Sequence, residues 1–312
     1  MKILLTGARG FVGGHLWRRL QDSHQVTTVG RRPLADSARH VQGDLEEDRV
    51  LDLLSRTAPD AVVHLAALTD ADRCEEQGER ARGLNAEVPA RLASAIARSC
   101  RRFVQVSTDL VFDGEQAPYG EADAALPISV YGRTKLAGER GVVSILGERA
   151  VIARLALTYG PRPSAISRPS FVERMVSSAS RGERVSLFED EFRTPIYVED
   201  AARALALLVE GPKPPPLVHL GGPDRCSRLE MGTAALNLFG LSCDLARACS
   251  RSEIRSRAPR PRDVSLTSSA AIALGLPSRS LAAGLSSMKR EMERLRFMVG
   301  SEIAVAEDEA TP

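Results

Sequence analysis

The sequence predicts an α/β fold built on a doubly wound parallel sheet, and three observations carry the prediction. Strand and helix signals alternate through the first half of the chain. A glycine-rich turn joins the first of those strands to the first of those helices. The segment 60–65 (DAVVHL) is the continuous apolar run expected of a strand buried on both faces.

Residues 3–6 form a short apolar strand, and 11–20 place Phe11, Val12, Leu16 and Leu20 at helical spacing. Strands follow at 26–29, 40–42, 60–65, 103–107 and 150–155, with a helix over 90–97. Strands alternating with helices imply βαβ units, and right-handed crossovers put helices on both sheet faces. The second half is less regular. Helices are expected over 171–181, 198–208, 228–239 and 281–297, with Glu199 and Asp200 in the first turn of the second. Segments 160–169 and 211–216 are rich in proline and read as loops. The expected division is a cofactor domain over 1–155 and 190–222, and a smaller α/β substrate domain over 156–189 and 223–297. The acidic, polar residues 298–312 are an expected disordered tail.

Composition narrows the function. Among 312 residues, 43% are hydrophobic and 26% charged, which suits a soluble globular protein. A net charge of +2 is too small to suggest nucleic-acid binding on electrostatic grounds, and no nucleic-acid partner is expected. Five cysteines, without a C-x-x-C pair, argue against a disulfide framework or zinc site and fit a reducing cytoplasm. No His/Asp/Glu cluster has metal-ligand spacing, so no metal is expected. The N-terminal apolar run is too short for a signal segment, and no stretch approaches the ~20 apolar residues needed to cross a bilayer. A cytoplasmic protein with a small-molecule partner is expected, and a homodimer is one assembly left open.

Residues 6–13 give G-x-x-G-x-x-G between strand and helix. Gly7 permits the tight turn, Gly10 lets a pyrophosphate approach the backbone, and Gly13 permits close helix–strand packing. An ordinary glycine turn is the plainer reading; the strand–turn–helix setting favours a Rossmann-type dinucleotide site. The second strand ends in Arg31 and Arg32, where an NAD site carries an acid. Two guanidiniums suit a 2′-phosphate, with Arg9 as a third, so NADPH is expected over NADH. A solvated arginine pair is the alternative, stronger for Arg32 than for Arg31. Asp44 suits an adenine amino group or a helix N-cap.

Tyr131 and Lys135 lie four apart, on one face of a helix. An ammonium beside a phenol lowers its pKa and eases proton transfer. Ser107, Thr108 and Asp109 close the fifth strand, at the carboxyl edge where parallel sheets bind ligands. A simple turn or cap is the alternative for all three.

The block 107–114 (STDLVFDG), then PYGE at 118–121, then YGRTK at 131–135 with Gly138 and Glu139, resembles the dTDP-4-dehydrorhamnose reductase branch of the extended short-chain dehydrogenases. HLAA at 64–67, RTP at 193–195, VED at 198–200 and RPRDVSL at 260–266 fit the same group. The resemblance covers the chain to about residue 297. It implies a triad of Thr108, Tyr131 and Lys135 that reduces a ketone, with Tyr131 as proton donor and Lys135 holding the nicotinamide ribose. It places Gly7, Arg9, Gly10, Phe11, Val12, Arg31, Arg32, Asp44, Leu45, Leu65, Ala66 and Ala67 at the cofactor. It places Thr108, Asp109, Leu110, Leu157 and Arg193 at the substrate. Leu110 and Leu157 stand where that branch usually has Tyr and Trp, so a more apolar pocket is expected. Asn85 is expected to steady its region or to act as an N-cap, and His64 to be a buried strand residue. The favoured substrate is a keto-sugar nucleotide such as a dTDP-4-keto-6-deoxy sugar. A non-sugar ketone is one alternative. A non-catalytic NADP-binding subunit like that of methionine adenosyltransferase is another.

Overall fold

The computed structural model describes residues 1–34, 37–164, 167–211, 214–254 and 256–308, with side chains described as far as residue 294. In chain order the elements begin with β1 (Lys2–Thr6), α1 (Phe11–Leu20), β2 (Gln25–Gly30), β3 (His40–Gln42), α2 (Asp48–Arg56) and β4 (Ala61–His64). Then come α3 (Ala71–Glu76), α4 (Gly78–Arg82), α5 (Val88–Ile96), β5 (Arg102–Thr108), α6 (Val130–Leu146) and β6 (Ala150–Leu155). Next are β7 (Thr158–Tyr159), α7 (Phe171–Ser180), β8 (Val185–Phe188), β9 (Phe192–Arg193), β10 (Ile196–Tyr197) and α8 (Val198–Glu210). Last are β11 (Leu217–Leu220), β12 (Cys226–Ser227), α9 (Arg228–Leu238), β13 (Ala246–Cys249), α10 (Ser269–Ala273) and α11 (Leu281–Asp308).

Seven strands form one sheet in the order β3-β2-β1-β4-β5-β6-β11, every neighbouring pair parallel. Every residue of β4 and β6 is buried, because helices cover both faces. On one face Leu5, Val63, Val104 and Ala153 pack with Leu16 of α1 and Leu205 of α8. On the other, Leu4, Val62 and Phe103 pack with Leu54 of α2, Leu92 of α5 and Val142 of α6. A second core joins Tyr159, Met175, Leu187, Tyr197, Met231 and Leu285. It is framed by three two-stranded sheets, β7–β10 and β8–β13 parallel, β9–β12 antiparallel.

The expected strands and long helices are present, and three boundaries move. Strand β11 was not singled out; it is four residues long and follows a proline run. Ala271 of α10 packs in the sheet core and the Gly221 N–H donates to Ser268 Oγ at 3.0 Å, so this part of the expected 223–297 substrate segment sides with the sheet. Helix α11 continues to Asp308, so the expected 298–312 tail begins inside it. Residues 309–312 lie outside the described residues.

Candidate active site

The carboxyl ends of β1, β4 and β5 lie side by side, so the glycine turn and Thr108 share one edge of the sheet. Gly7 has φ +71°, and a Cβ there would lie 2.8 Å from the Ala66 nitrogen. A Cβ on Gly13 would come within 2.1 Å of the Gly7 carbonyl oxygen. Gly10 caps α1 without a side-chain bond, and no acid stands in the first turn. The positive end of α1 therefore faces a cradle shaped by missing side chains, which fits a dinucleotide pyrophosphate.

Arg9 Nη1 donates to the Pro33 carbonyl at 2.7 Å and ties this turn to the segment after β2. Arg31 and Arg32 are both exposed, and Arg31 Nε donates to Asp44 Oδ2 at 3.0 Å. Asp44 Oδ1 accepts from the Glu46 N–H at 3.2 Å, so it closes a turn; the N-cap of α2 is Glu47. Phe11, Val12, Ala67 and Leu65 are half-buried along this edge, whereas the Leu45 side chain packs in the core at 7% exposure. A cofactor role for Leu45 therefore falls to its backbone. The Leu65 and Ala66 N–H groups donate to Thr6 Oγ1 at 3.1 and 3.0 Å. With its oxygen so engaged, the Thr6 hydroxyl donates to His64 Nδ1 at 2.9 Å. Burial, reinforced by the Lys135 charge, pushes His64 down to about 3, so it is a neutral strand residue.

Thr108, Tyr131 and Lys135 are all buried, at 6%, 8% and 3% exposure. Ser129 Oγ caps α6 by accepting from the Gly132 N–H at 3.1 Å. A Cβ on Gly132 would lie 2.2 Å from the Leu110 carbonyl oxygen, so Gly132 lets the start of α6 close on the turn that follows β5. The Thr108 hydroxyl donates to Asp109 Oδ1 at 3.1 Å and accepts from the Leu110 N–H at 3.2 Å. Lys135 Nζ donates to the Val106 carbonyl at 2.7 Å.

The electrostatics correct one expectation. Burial raises the Tyr131 phenol well above its usual value; Asp109 adds to the rise, while a side-chain hydrogen bond with Thr108 and the Arg193 charge oppose it. Desolvation is the largest of these effects, and the groups that lower the phenol are Thr108 and Arg193 rather than Lys135. Burial pushes Lys135 itself down to about 8, with Glu139 acting against the fall. Tyr131 is thus protonated at neutral pH, the form a proton donor requires.

Asn85 also departs from one of its two readings. It lies in a π-helical turn, Gly83–Glu87, and caps no helix. Its Oδ1 accepts from the Leu68 N–H at 2.8 Å, and its Nδ2 donates to the Leu68 carbonyl at 3.0 Å and to Thr134 Oγ1 at 3.1 Å. Asn85 thereby fastens the loop after β4 to the helix that carries Tyr131 and Lys135.

The expected substrate residues separate. Arg193 and Asp109 are buried and bonded to one another, as are Arg193 Nη2 and Glu191 Oε1 at 3.3 Å. Leu110 packs in the small cluster that holds Tyr131, whereas Leu157 packs against the second core. Sequence reasoning missed Glu191, which is fully buried among Arg193, Arg228 and Arg260. Burial alone would raise its carboxyl, yet the three guanidiniums hold it below the usual range. It also missed Cys74, which shares the Tyr131 cluster, and the Glu139–Arg154 ion pair. The acid two residues before Arg193 was the available signal for the first; partners distant in sequence left none for the others. Among the described residues no group of His, Cys, Asp and Glu could hold a metal ion, and no helix is long and apolar enough to cross a membrane.

A family model described as the RmlD substrate binding domain matches residues 1–294. A dTDP-4-dehydrorhamnose reductase of Mycolicibacterium smegmatis is 30% identical over 314 residues, covering 100% of this chain and 89% of that protein. A probable dTDP-4,6-dihydroxy-2-methyloxan-3-one 4-ketoreductase of Streptomyces antibioticus is 32% identical, covering 84% of this chain and 85% of that protein. The crystal structure of a dTDP-4-dehydrorhamnose reductase from Clostridium acetobutylicum superposes with a TM-score of 0.82 at 27% identity, covering 94% of this chain and 100% of that one.

Proposed function

The chain belongs to the RmlD substrate binding domain family, and from that premise we propose that it is an NADPH-dependent reductase of a keto-sugar nucleotide such as a dTDP-4-keto-6-deoxy sugar. The observation that carries the reading is the buried Tyr131 of α6 beside Thr108, which ends β5 on the sheet edge that also carries the glycine turn. The curated relatives named above include two enzymes whose names specify dTDP-linked sugars. A cytoplasmic location belongs to the same reading, and all five cysteines are free thiols.

The glycine turn and the start of α1 would hold the cofactor pyrophosphate, and Arg31 and Arg32 a 2′-phosphate. When bound, NADPH supplies the hydride. The Tyr131 hydroxyl passes its proton to the substrate oxygen as the carbonyl becomes an alcohol. Thr108, whose one hydroxyl proton goes to Asp109 here, would turn that proton to the substrate oxygen. Lys135 would hold the nicotinamide ribose, and its positive charge would steady the Tyr131 phenolate until a proton from solvent restores the neutral hydroxyl. Asp109, fixed by Arg193, orients the Thr108 hydroxyl.

The test is NADPH oxidation, followed at about 340 nm, with a panel of 4-keto sugar nucleotides and simple ketones. Turnover on the dTDP-linked sugars is expected, and Tyr131→Phe should lower it by roughly 10²–10⁴-fold with NADPH affinity retained. Tight NADPH binding with no turnover on any ketone would overturn the reading and favour a subunit role.

A further inference from the structure

Thr108 and Tyr131 belong to a closed circuit of contacts that runs through both parts of the fold. From Thr108 it passes by Asp109 to Arg193, and from Arg193 Nη2 to Glu191 Oε1. Arg260 Nη1 lies 3.7 Å from Glu191 Oε2, and the residues just before it reach Asp72 of α3. Ser256 Oγ and the Ala258 nitrogen each lie 2.9 Å from Asp72 Oδ1, and Arg257 pairs with Glu76, one turn further along α3. Helix α3 returns the circuit to its start. Its Cys74 packs in the cluster that holds Tyr131, and Glu75 Oε1 accepts from the N–H of Val130, the first residue of α6, at 2.7 Å.

The links of this circuit are unequal. Asp109, Arg193 and Glu191 are buried, so parting them strands a charge in the interior. The link through Asp72 is the opposite case. Its side chain is 42% exposed and that of Arg257 is 67% exposed, so water can replace their partners at little cost. Arg260 reaches Asp72 only at 4.0 Å. Beyond Arg260 the chain is anchored again, because the Phe192 N–H donates to the Arg262 carbonyl and the Tyr119 N–H to the Ser265 carbonyl, both at 2.8 Å. The segment 256–260 therefore runs from a fixed base at β9 to an exposed contact on α3.

We propose that the contact between Asp72 and the segment 256–258 is a gate, closed in this structure, that parts to admit a ketone to Tyr131 and to release the alcohol. The proposal rests on the reductase reading above. Tyr131 is 8% exposed and Thr108 6%, so a substrate as large as a sugar nucleotide needs the circuit to open before its carbonyl reaches them. Opening at Asp72 frees an acid that water already touches, whereas opening at Asp109 or Glu191 bares a buried charge. Reclosure withdraws the reacting atoms from water and strengthens the hydrogen bonds made there.

The test is a reversible bridge across the gate. Asp72→Cys and Ser256→Cys are joined by a short bifunctional methanethiosulfonate in a Cys243→Ser background, because Cys243 is exposed and the other four native thiols are buried. Turnover should be lost while the bridge is intact and return with dithiothreitol. The same double variant capped with a monofunctional reagent should keep its activity. A second readout needs no ketone: acrylamide quenching of the fluorescence of bound NADPH reports access to the nicotinamide. Quenching should be stronger in the capped protein and in Asp72→Ala than in the native protein, and weakest in the bridged form. Equal quenching in bridged and capped protein overturns the proposal, whatever happens to turnover. So does a bridged enzyme that turns over as fast as the capped one. Native enzyme inactive on every ketone refutes the reductase reading instead, and the quenching comparison still decides the gate.

Discussion

Arg193 Nη1 lies 2.9 Å from each carboxylate oxygen of Asp109, and the pair joins the end of β5 to β9, an edge of the second core. Their side chains are 7% and 2% exposed, so neither charge is shared with water. The contact therefore does two things. It holds the two parts of the fold together beneath Tyr131, and it fixes the carboxylate that receives the Thr108 hydroxyl.

Arg193→Met strands the Asp109 charge in the interior. The expected cost is about 3–5 kcal/mol in urea unfolding, as for other broken buried pairs. Adding Asp109→Leu should return part of that stability, because no lone charge is then left, while the rate stays low for want of an oriented Thr108. A double variant as unstable as the single would show that packing, not charge, is the cause.

The glycine turn makes a second, purely steric prediction. Gly13→Ala would set a Cβ 2.1 Å from the Gly7 carbonyl, with backbone on both sides, so α1 must shift away from β1. NADPH affinity and melting temperature should both fall. Gly78→Ala, where a Cβ meets nothing within 4 Å, is the control. It lies in α4 and should be neutral or stabilising by up to about 1 kcal/mol. Calorimetry of both variants with and without NADPH checks the contrast.

These features differ in how far the sequence exposes them. The sheet was legible because β4 (AVVH) and β6 (AVIARL) are mostly apolar and the helices between them are periodic, which is local information. The short strands β7, β9, β10 and β12 were not, since two residues carry no periodicity and each is defined by a distant partner. The family resemblance implied the triad, but neither it nor spacing carried the electrostatics. Spacing puts Lys135 beside Tyr131, whereas burial, Asp109 and Arg193 govern the phenol, and those partners converge only in the fold. Asn85 shows the same limit: its type suits a cap, and its partners, Leu68 and Thr134, make it a fastener.

Cofactor choice gives the last prediction. Arg31 is exposed along 69% of its side chain and meets Asp44 at 3.0 Å, so its guanidinium is accessible yet steered by one carboxylate. An exposed pair of this kind contributes at most about 1 kcal/mol to stability, so Arg31→Ala should leave the melting temperature nearly unchanged. It also frees Asp44, which lies against that guanidinium, where a negative charge disfavours a 2′-phosphate and tolerates a 2′-hydroxyl. Both effects act in one direction. The dissociation constant for NADPH, measured by fluorescence titration, should rise about tenfold or more (roughly 1.4 kcal/mol), and that for NADH should change little. Asp44→Asn in the same background should restore part of the NADPH affinity by removing the repulsion. Equal losses for the two cofactors would assign Arg31 to the shared part of the dinucleotide and leave the 2′-phosphate to Arg32 or Arg9.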